Sequence, residues 1–293
     1  MVKLIGGLGN QMFQYAAGRS LAQSLNTELY LDTRALEADP GKAFTKRYFE
    51  LGAWHINAKQ APQDILNRFS SADTTLARQL QRMMPFLFNT IVFNERGQDI
   101  NPAFFRLRGN VYLNGYWQSE AYFLSIREML HREFTLPDEN NEVFLAYVKQ
   151  IVPSNAVSLH VRRGDLLSHA ANLELHGVLD LDYYRRAAEE LNRLDKSPKT
   201  YFVFSDDLNW CRQNLGFLPA AQYVDSKNKM MPYHEIILMS HCRYNIIANS
   251  SFSWWGAWLN KNPDKIVIAP QNWFRAKSMS SRDLIPASWK RVA

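Results

Sequence analysis

The sequence predicts an α/β protein whose two halves each carry a largely parallel sheet. Short apolar runs of strand length alternate with helical patterns along most of the chain, and several of these runs end in glycine or polar residues. Strands separated by helices pair in parallel, because each crossover returns the chain to the same edge of the sheet. With 293 residues, 46% of them hydrophobic and 21% charged, the chain is long enough for two domains of ordinary globular composition.

The start of the chain predicts a β-α-β unit. Residues 2–5 form a short apolar run, glycines interrupt it, and from Asn10 onwards apolar residues recur with helical spacing before a second strand at 29–32. The rest of the first half is predicted as a loosely bounded helix within 60–90 with a turn near Pro85, a strand at 111–114, a helix at 119–132 capped by Ser119, and a helix at 139–151.

The second half has a more regular alternation of strands and helices. The predicted strands are 156–161, 200–204, 244–248 and 265–269, and the predicted helices are 182–194, 208–215, 232–241 and 253–259, the first of them capped by Asp182 or a neighbour. Pro153-Ser154-Asn155 punctuates the chain between the two halves. We therefore predict a domain boundary there, with domains at 1–152 and 153–293.

Composition and charge exclude several classes of protein. The net charge is +6, but the basic residues are scattered and no long Lys/Arg run occurs, so nucleic acid is not an expected partner. Cys211 and Cys242 have no metal-ligand spacing and are expected to be two free thiols, with a disulfide between them as the alternative. The sequence shows neither a signal-peptide pattern nor an apolar run of ~20 residues, which favours a cytoplasmic, bacterial protein.

The first candidate site is the turn Gly6-Gly7-Leu8-Gly9-Asn10-Gln11. Glycines after a first strand let the backbone approach a ligand, and the following helix N-terminus attracts phosphate. The turn lacks the Lys-Ser/Thr of a P-loop and the last glycine of a dinucleotide fingerprint. It is therefore either an ordinary tight turn or a ligand-binding turn in which Gly7, Gly9, Asn10 and Gln11 take part.

The second candidate site is His160-Val161-Arg162-Arg163-Gly164-Asp165, at the end of an apolar strand. In an extended segment His160 and Arg162 share one face and Arg163 faces the other way. One arginine can then bind a phosphate with two parallel N–H donors while the other pairs with Asp165. The alternative is a surface salt-bridge cluster, which seldom terminates a buried strand.

Two further strand ends carry polar side chains. Ser205-Asp206-Asp207 follows an apolar strand, and its acids either cap the next helix or bind guanine N–H groups or a ribose hydroxyl. Ser250-Ser251-Phe252-Ser253 precedes a helix whose N-terminus and hydroxyls suit a pyrophosphate, or which has an ordinary N-cap. The tryptophans that follow, Trp254, Trp255 and Trp258, are predicted to be core residues.

The segment Asp180-Leu181-Asp182 matches the DxD pattern of metal-dependent glycosyltransferases. It immediately precedes a helical run, where aspartate is the expected cap, so we do not predict a metal site there. No other histidine or acid spacing in the chain predicts one.

Taken in order, four segments resemble the bacterial α-1,2-fucosyltransferases of glycosyltransferase family 11, over most of the chain. They are residues 6–15 (GGLGNQMFQY), 114–119 (NGYWQS), 160–165 (HVRRGD) and 250–258 (SSFSWWGAW). The His-x-Arg-Arg-x-Asp segment is also similar to that of the α-1,6-fucosyltransferases and, more loosely, of the protein O-fucosyltransferases. The resemblance implies a GT-B-like fold, with two Rossmann-like domains facing across a cleft, and catalysis without a metal or other cofactor.

The resemblance also implies roles for individual residues. Arg162 would contact the β-phosphate of GDP-fucose, His160 and either Asp206 or Asp207 would hold the guanosine, and Asn10 would lie near the reacting fucose. The predicted donor-binding residues are Gly7, Gly9, Asn10, Gln11, His160, Arg162, Arg163, Asp206, Asp207, Ser250, Ser251, Phe252 and Ser253, and the predicted catalytic residues are Arg162, Asp165 and Asn10. Asp165 is the candidate base by its motif position alone, and a dissociative transfer without a base is the alternative.

The predicted reaction is inverting, metal-independent transfer of L-fucose from GDP-β-L-fucose to the 2-hydroxyl of a terminal β-galactoside, in O-antigen or surface glycan synthesis. A lipid-linked acceptor would bring the protein into peripheral contact with the inner membrane face. Three other functions remain open: a non-catalytic carbohydrate- or nucleotide-binding module, a fucosyltransferase of another linkage, and a sulfotransferase-like enzyme, although the last would need a P-loop-like start.

Overall fold

The computed structural model describes residues 1–38, 46–72, 90–136, 139–164, 167, 170–276 and 278–293. They form two compact units. The described residues of the first unit are 1–38, 46–72, 90–136 and 282–284, and those of the second are 139–164, 167, 170–276, 278–281 and 285–293. The predicted domains differ from this grouping in two places: the helix Glu142–Ile151 belongs to the second unit, and residues 282–284 group with the first.

That helix belongs to the second unit because of the contacts at its N-terminal end. Asn141 caps it by accepting a hydrogen bond from the backbone N–H of Phe144, and donates to the carbonyl of Lys229 at 2.8 Å. Glu139 lies 2.6 Å from Nε2 of His234, whose ring packs 5.0 Å from that of Phe144.

The first unit contains a five-stranded sheet, and every strand pair in it is parallel. Its strands are β1 (Val2–Lys3), β2 (Tyr30–Asp32), β3 (Lys59–Gln60), β4 (Thr90–Asn94) and β5 (Asn110–Asn114). Their spatial order is β3-β2-β1-β5-β4, so the strand order reverses between β1 and β5. In open parallel sheets, ligands bind beyond the carboxyl ends of the strands at such a reversal.

The second unit contains a six-stranded sheet, also parallel in every pair. Its strands are β6 (Ala156–Val161), β7 (Thr200–Ser205), β8 (Ala221–Tyr223), β9 (Tyr244–Ile246), β10 (Ile266–Pro270) and β11 (Lys290–Val292). The order is β11-β10-β9-β6-β7-β8, and the reversal falls between β6 and β9. The predicted α/β class with parallel sheets is confirmed in both units.

The helices connect the strands much as the periodicity predicts. Within the described residues, the α-helices are Leu8–Ser24, Arg34–Glu37, Gln63–Ala72 and Arg127–Glu133 in the first unit, and Glu142–Ile151, Ala170–His176, Leu181–Leu194, Leu208–Asn214, Pro232–His241 and Ser251–Trp258 in the second. In the described part of the chain, no helix combines the length and apolarity needed to cross a membrane.

Two stretches of the first unit differ from the prediction. In place of one helix over 119–132, the 3-10 turns Glu120–Tyr122 and Leu124–Ile126 precede the α-helix, because Phe123 leaves the helical region with φ −138°. Ser119 caps the first of these turns, as predicted. The expected helical region within 60–90 covers Gln63–Ala72 and then a strand from Thr90, and Pro85 lies outside the described residues.

The second sheet is packed on the face covered by helix Leu181–Leu194. Val157 and Leu159 of β6 and Tyr201 and Val203 of β7 lie in one buried cluster with Leu191 of that helix. Trp254, Trp255 and Trp258 are fully buried or nearly so, which confirms them as core residues. Cys211 and Cys242 are buried free thiols, also as predicted.

Candidate functional site

Arg162 and Ser250 meet at the strand-order reversal of the second sheet. Arg162 follows the last residue of β6, and Ser250 lies beyond the end of β9, which is paired with β6. The Arg162 Nη1 donates to Ser250 Oγ at 3.4 Å. Ser250 also caps the helix Ser251–Trp258 by accepting from the backbone N–H of Phe252. A guanidinium and a helix N-terminus, two groups that favour anions, thus share one point of the fold.

His160 lies next to this pair. Its side chain is buried and its ring packs against that of Phe252, with centroids 5.7 Å apart. Ser251 and Phe252 are half-buried at the start of the helix. Ser253 is fully buried and donates to the carbonyl of Ser250, so its hydroxyl stabilises the helix start from inside. The structure therefore brings His160, Arg162, Ser250 and Phe252 together.

Asp206 holds the turn that carries the two arginines. Its Oδ1 accepts from the backbone N–H of Arg163 and its Oδ2 from that of Gly164, both at 2.9 Å. One carboxylate thus accepts from two consecutive backbone N–H groups, which fixes the chain direction after β6. A β-carbon at Gly164 would lie 3.1 Å from Asp206 Oδ2, so glycine allows this close approach.

Arg163 faces away from Arg162, as the extended geometry predicts, and its described partners lie beyond β7. Its Nε lies 3.5 Å from Asp207 Oδ2, and its guanidinium stacks 4.1 Å from the Trp210 ring. Asp207 also caps helix Leu208–Asn214 by accepting from the backbone N–H of Trp210. Both acids after β7 therefore have structural partners. Asp165, the predicted base, lies outside the described residues.

Sequence reasoning missed Glu235, a half-buried carboxylate near Asp206. Burial raises its pKa, Ser226 opposes this by donating to its Oε1 at 2.6 Å, and the negative charge of Asp206 raises it further. Glu235 lies in the first turn of helix Pro232–His241, where an acid is expected for the helix dipole alone. Sequence gave no signal for its proximity to Asp206, which depends on the sheet order.

The glycine turn of the first unit is held by its own side chains. Gly6 has φ +77°, and a β-carbon there would lie 2.5 Å from Asn10 Nδ2. Gly7 is the N-cap of helix Leu8–Ser24 and faces the Arg47 side chain. Gly9 is buried within that helix. The missing β-carbon of Gly6 thus allows the Asn10 side chain to pack closely against the backbone.

The Gln11 side chain is used in hydrogen bonds within the protein. It is fully buried, its Nε2 donates to the carbonyls of Gly6 and Tyr48, and its Oε1 accepts from the backbone N–H of Glu50. Asn10 is half-buried, and its Oδ1 accepts from Gln118 Nε2 at 2.8 Å. Among the predicted ligand residues Gly7, Gly9, Asn10 and Gln11, only Asn10 and Gln11 have polar side chains, and that of Asn10 is the more accessible.

The DxD-like segment is a helix cap, as predicted. Asp180 accepts from the backbone N–H of Tyr183 at 2.8 Å at the start of Leu181–Leu194. Across the described ranges, no group of three or more His, Cys, Asp or Glu side chains has an arrangement that could hold a metal ion.

The sequence of residues 81–293 matches the family described as glycosyl transferase family 11. The chain belongs to this family. The polar residues at the β6/β9 reversal are therefore candidates for the active site of a glycosyltransferase.

Three relatives illustrate the range of this family. The chain is 32% identical to an Escherichia coli α-1,2-colitosyltransferase over 100% of its own length and 98% of the relative's. It is 30% identical to the Escherichia coli O-antigen biosynthesis glycosyltransferase WbnK, over 98% of each chain. It is 26% identical to human galactoside α-(1,2)-fucosyltransferase 1, over 87% of this chain and 63% of the human one.

Solved structures share the fold at low sequence identity. A mutant of Arabidopsis thaliana FUT1 in complex with GDP has a TM-score of 0.53 and 11% identity, covering 93% of this chain and 70% of that chain. NodZ α-1,6-fucosyltransferase soaked with GDP-fucose has a TM-score of 0.50 and 14% identity, covering 88% and 91%. The fold is thus of the GT-B class, with two Rossmann-like units, as predicted.

Proposed function

We propose that this enzyme transfers L-fucose from GDP-β-L-fucose to the 2-hydroxyl of a terminal β-galactoside, with inversion, in the synthesis of an O-antigen or similar surface glycan. The observation that carries the proposal is the pairing of Arg162 with the Ser250 helix N-terminus at the β6/β9 reversal. Two of the family relatives are α-1,2-transferases of a deoxysugar by name, and a third acts in O-antigen synthesis by name.

The proposed chemistry is a single in-line displacement. The acceptor oxygen forms a bond to C1 of fucose while the bond from C1 to the β-phosphate oxygen breaks, and GDP leaves with that electron pair. Inversion of a β-linked donor gives an α-linked product. Charge grows on the pyrophosphate in the transition state, and Arg162 with the amides at the Ser251–Trp258 N-terminus would stabilise it. This role needs no metal, and we propose that the transfer proceeds without one.

Residues near Arg162 suit a nucleoside. The Phe252 ring is half-buried, packs on the buried His160 ring, and offers an aromatic surface. Asp206 and Asp207 are engaged by backbone amides, and within the described residues Glu235 keeps one carboxylate oxygen without a hydrogen-bond partner. We propose that Glu235 Oε2 accepts from a guanine N–H or a ribose hydroxyl, a role predicted above for Asp206 or Asp207.

The acceptor proton must be released as the new bond forms. Asp165 stays the candidate base, on its motif position. If Asp165 takes the proton, Asp165→Asn loses turnover and the acid limb of the pH–rate profile. Unchanged turnover in that variant would favour the dissociative transfer without a base.

A second donor is favoured by one observation, the 32% identity to an enzyme named for colitose transfer. Colitose is L-fucose without the 3-hydroxyl, so the two donors differ by one group. The deciding assay measures GDP release from GDP-L-fucose and from GDP-L-colitose with a β-galactoside acceptor, and identifies the product linkage by NMR. We expect the fucose donor to have the higher kcat/KM. Preference for colitose would reassign the donor, and GDP release from neither would leave a non-catalytic binding module.

A further inference from the structure

The strand-order reversal of the first sheet lies between β1 and β5, and the turns that follow these two strands are joined there. Asn10 follows β1 through the glycine turn, and Gln118 follows β5. Gln118 Nε2 donates to Asn10 Oδ1 at 2.8 Å. Ligands are expected at the strand-order reversal of a parallel sheet. The β1/β5 reversal is therefore a second candidate binding site, in addition to the β6/β9 reversal of the other unit.

The bonded amide pair has hydrogen-bonding capacity left over. In the described part of the chain, Gln118 Oε1 and Asn10 Nδ2 have no hydrogen-bond partner. The pair therefore offers one acceptor and one donor side by side, and exchanging the oxygen and nitrogen of both amides would leave the same two functions. A sugar hydroxyl both donates and accepts, so a neutral hydroxyl-bearing ligand matches this pair better than a phosphate does.

An exposed aromatic ring stands two residues from Gln118. Tyr116 is 40% exposed, although its backbone N–H is held within the protein. Glu95, the residue after β4, accepts from the backbone N–H of Tyr116 at 2.6 Å and from that of Trp117 at 2.9 Å. Flat aromatic rings with a polar edge are suited to the apolar C–H face of a pyranose.

The turn that carries Tyr116 and Gln118 has a strained backbone conformation and a close backbone approach. Trp117 has φ +57°, a conformation that side-chain-bearing residues rarely adopt, and a β-carbon at Gly115 would lie 2.3 Å from that of Glu95. Trp117 is fully buried and anchors the turn against the rings of Phe93 and Phe104. Such local strain is typical of segments that present side chains to a ligand.

We propose that Tyr116, Gln118 and Asn10 form a binding subsite for the acceptor sugar, and that Glu95 is a positioning residue that holds it. Tyr116 stacks on the apolar face of the terminal hexose, and the amide pair binds a hydroxyl of that sugar. Asn10 then serves the acceptor rather than the donor. The inference rests on the proposed function, since it names the acceptor side of the same reaction.

The test separates acceptor binding from donor binding. Initial rates of GDP release are measured while GDP-L-fucose and methyl β-D-galactoside are varied in turn, for the wild type, Tyr116→Ala, Tyr116→Phe and Gln118→Ala. Removal of one aromatic contact from a binding surface predicts an acceptor KM about tenfold higher in Tyr116→Ala. The ratio of the acceptor KM to the donor KM should rise by the same factor in Tyr116→Ala, because the ring contacts only the acceptor. Tyr116→Phe keeps the ring and stays near the wild-type KM.

Phe105→Ala is the matched control. Phe105 is an exposed ring of the same unit, 51% exposed, outside the proposed subsite. Its removal should leave the acceptor KM unchanged, and an equal increase in Phe105→Ala and Tyr116→Ala would overturn the subsite. A wild-type acceptor KM in Tyr116→Ala would overturn it as well.

A binding measurement keeps the two proposals separable. Saturation-transfer NMR with methyl β-D-galactoside needs no turnover, so it reports on the subsite even if the donor is not GDP-fucose. Binding by the wild type that Tyr116→Ala loses supports the subsite. Absence of binding by the wild type, or equal binding by both proteins, contradicts it. Absence of GDP release from GDP-fucose contradicts the proposed function instead.

Discussion

At the strand-order reversal of each sheet, a carboxylate fixes a turn in the same way, but the side chains that the two turns present differ in charge. In the second unit, Asp206 after β7 accepts the backbone N–H groups of Arg163 and Gly164 after β6. In the first unit, Glu95 after β4 accepts those of Tyr116 and Trp117 after β5. In both units, a carboxylate after one strand thus fixes the turn that follows the neighbouring strand.

The side chains that the two turns present differ in charge. The turn held by Asp206 presents Arg162, beside a helix N-terminus, whereas the turn held by Glu95 presents Gln118, bonded to Asn10. A guanidinium suits a diphosphate, and two amides with an exposed tyrosine suit a neutral sugar. The comparison teaches that a common way of fixing a turn can serve donor chemistry in one unit and acceptor chemistry in the other.

The largest effect is expected at Arg162. Loss of one preorganised charge contact to the leaving group costs ~3 kcal/mol, or about a hundredfold in rate. Arg162→Ala and Arg162→Lys should therefore both lower kcat/KM for GDP release by about that factor, because lysine cannot supply two parallel donors. Arg243→Lys, a change at an exposed arginine of the same unit, is the control. Near-normal turnover in Arg162→Lys would contradict bidentate binding of the phosphate.

The next effect compares the two positioning carboxylates. Asp206→Asn and Glu95→Gln each replace one acceptor oxygen by an amide N–H₂, which faces a backbone N–H and leaves it unsatisfied. Glu95→Gln should lower the free energy of unfolding, measured by urea denaturation, by about 1–3 kcal/mol. Asp206→Asn should lower it by less, because Asp206 is exposed and water can satisfy the released N–H. Asp206→Asn should raise the donor KM, and Glu95→Gln the acceptor KM. If both variants raised the same KM, the division of roles between the two turns would be wrong.

Local signals account for the parts of the fold that the sequence predicted well. The strand Ala156–Val161 and the helix Pro232–His241 have the predicted bounds. Apolar residues at every second position define the strand, and a first-turn proline defines the start of the helix, without reference to the rest of the chain. Strand Thr90–Asn94 was missed because its apolar run, Ile91-Val92-Phe93, is only three residues long. Strands Lys59–Gln60 and Lys290–Val292 are short and carry few apolar residues.

The site was predictable where one segment carries both signal and function. Arg162 stands out because a charged pair ends a buried strand, and Ser250 because a hydroxyl precedes a helix. The acids after β7 also stood out, but sequence could not choose between capping and binding, and the structure gives both of them structural partners. Glu95 was missed because the residues that it contacts lie 21 and 22 positions away. Glu235 was missed because its proximity to Asp206 depends on the order of the strands in the sheet.

Glu235 offers a smaller, pH-dependent test of the charged reversal. Burial and the Asp206 charge raise its pKa, so the folded state holds its proton more tightly than the unfolded state does. The stability that this provides is present below the unfolded pKa and is lost as pH rises through the folded pKa. Urea unfolding from pH 4 to pH 8 should show Glu235→Gln gaining stability over the wild type as pH rises.

Glu189→Gln removes the same charge from an exposed helix surface of the same unit and gives the baseline for that comparison. A difference between Glu235→Gln and the wild type that does not change with pH would contradict the raised pKa. Weaker GDP binding by Glu235→Gln, measured by calorimetry, would support its proposed contact with the nucleoside.

The smallest expected effect is that of metal chelation, and its absence would be informative. If Arg162 and the helix N-terminus carry the leaving-group charge, EDTA should leave the rate of GDP release unchanged, and added Mg²⁺ or Mn²⁺ should not raise it. Loss of activity in EDTA that Mg²⁺ or Mn²⁺ restores would mean that a cation shares that charge. The contrast between the units would then be one of a cation site against a neutral site, and the loss in Arg162→Lys would have to be measured again at saturating metal.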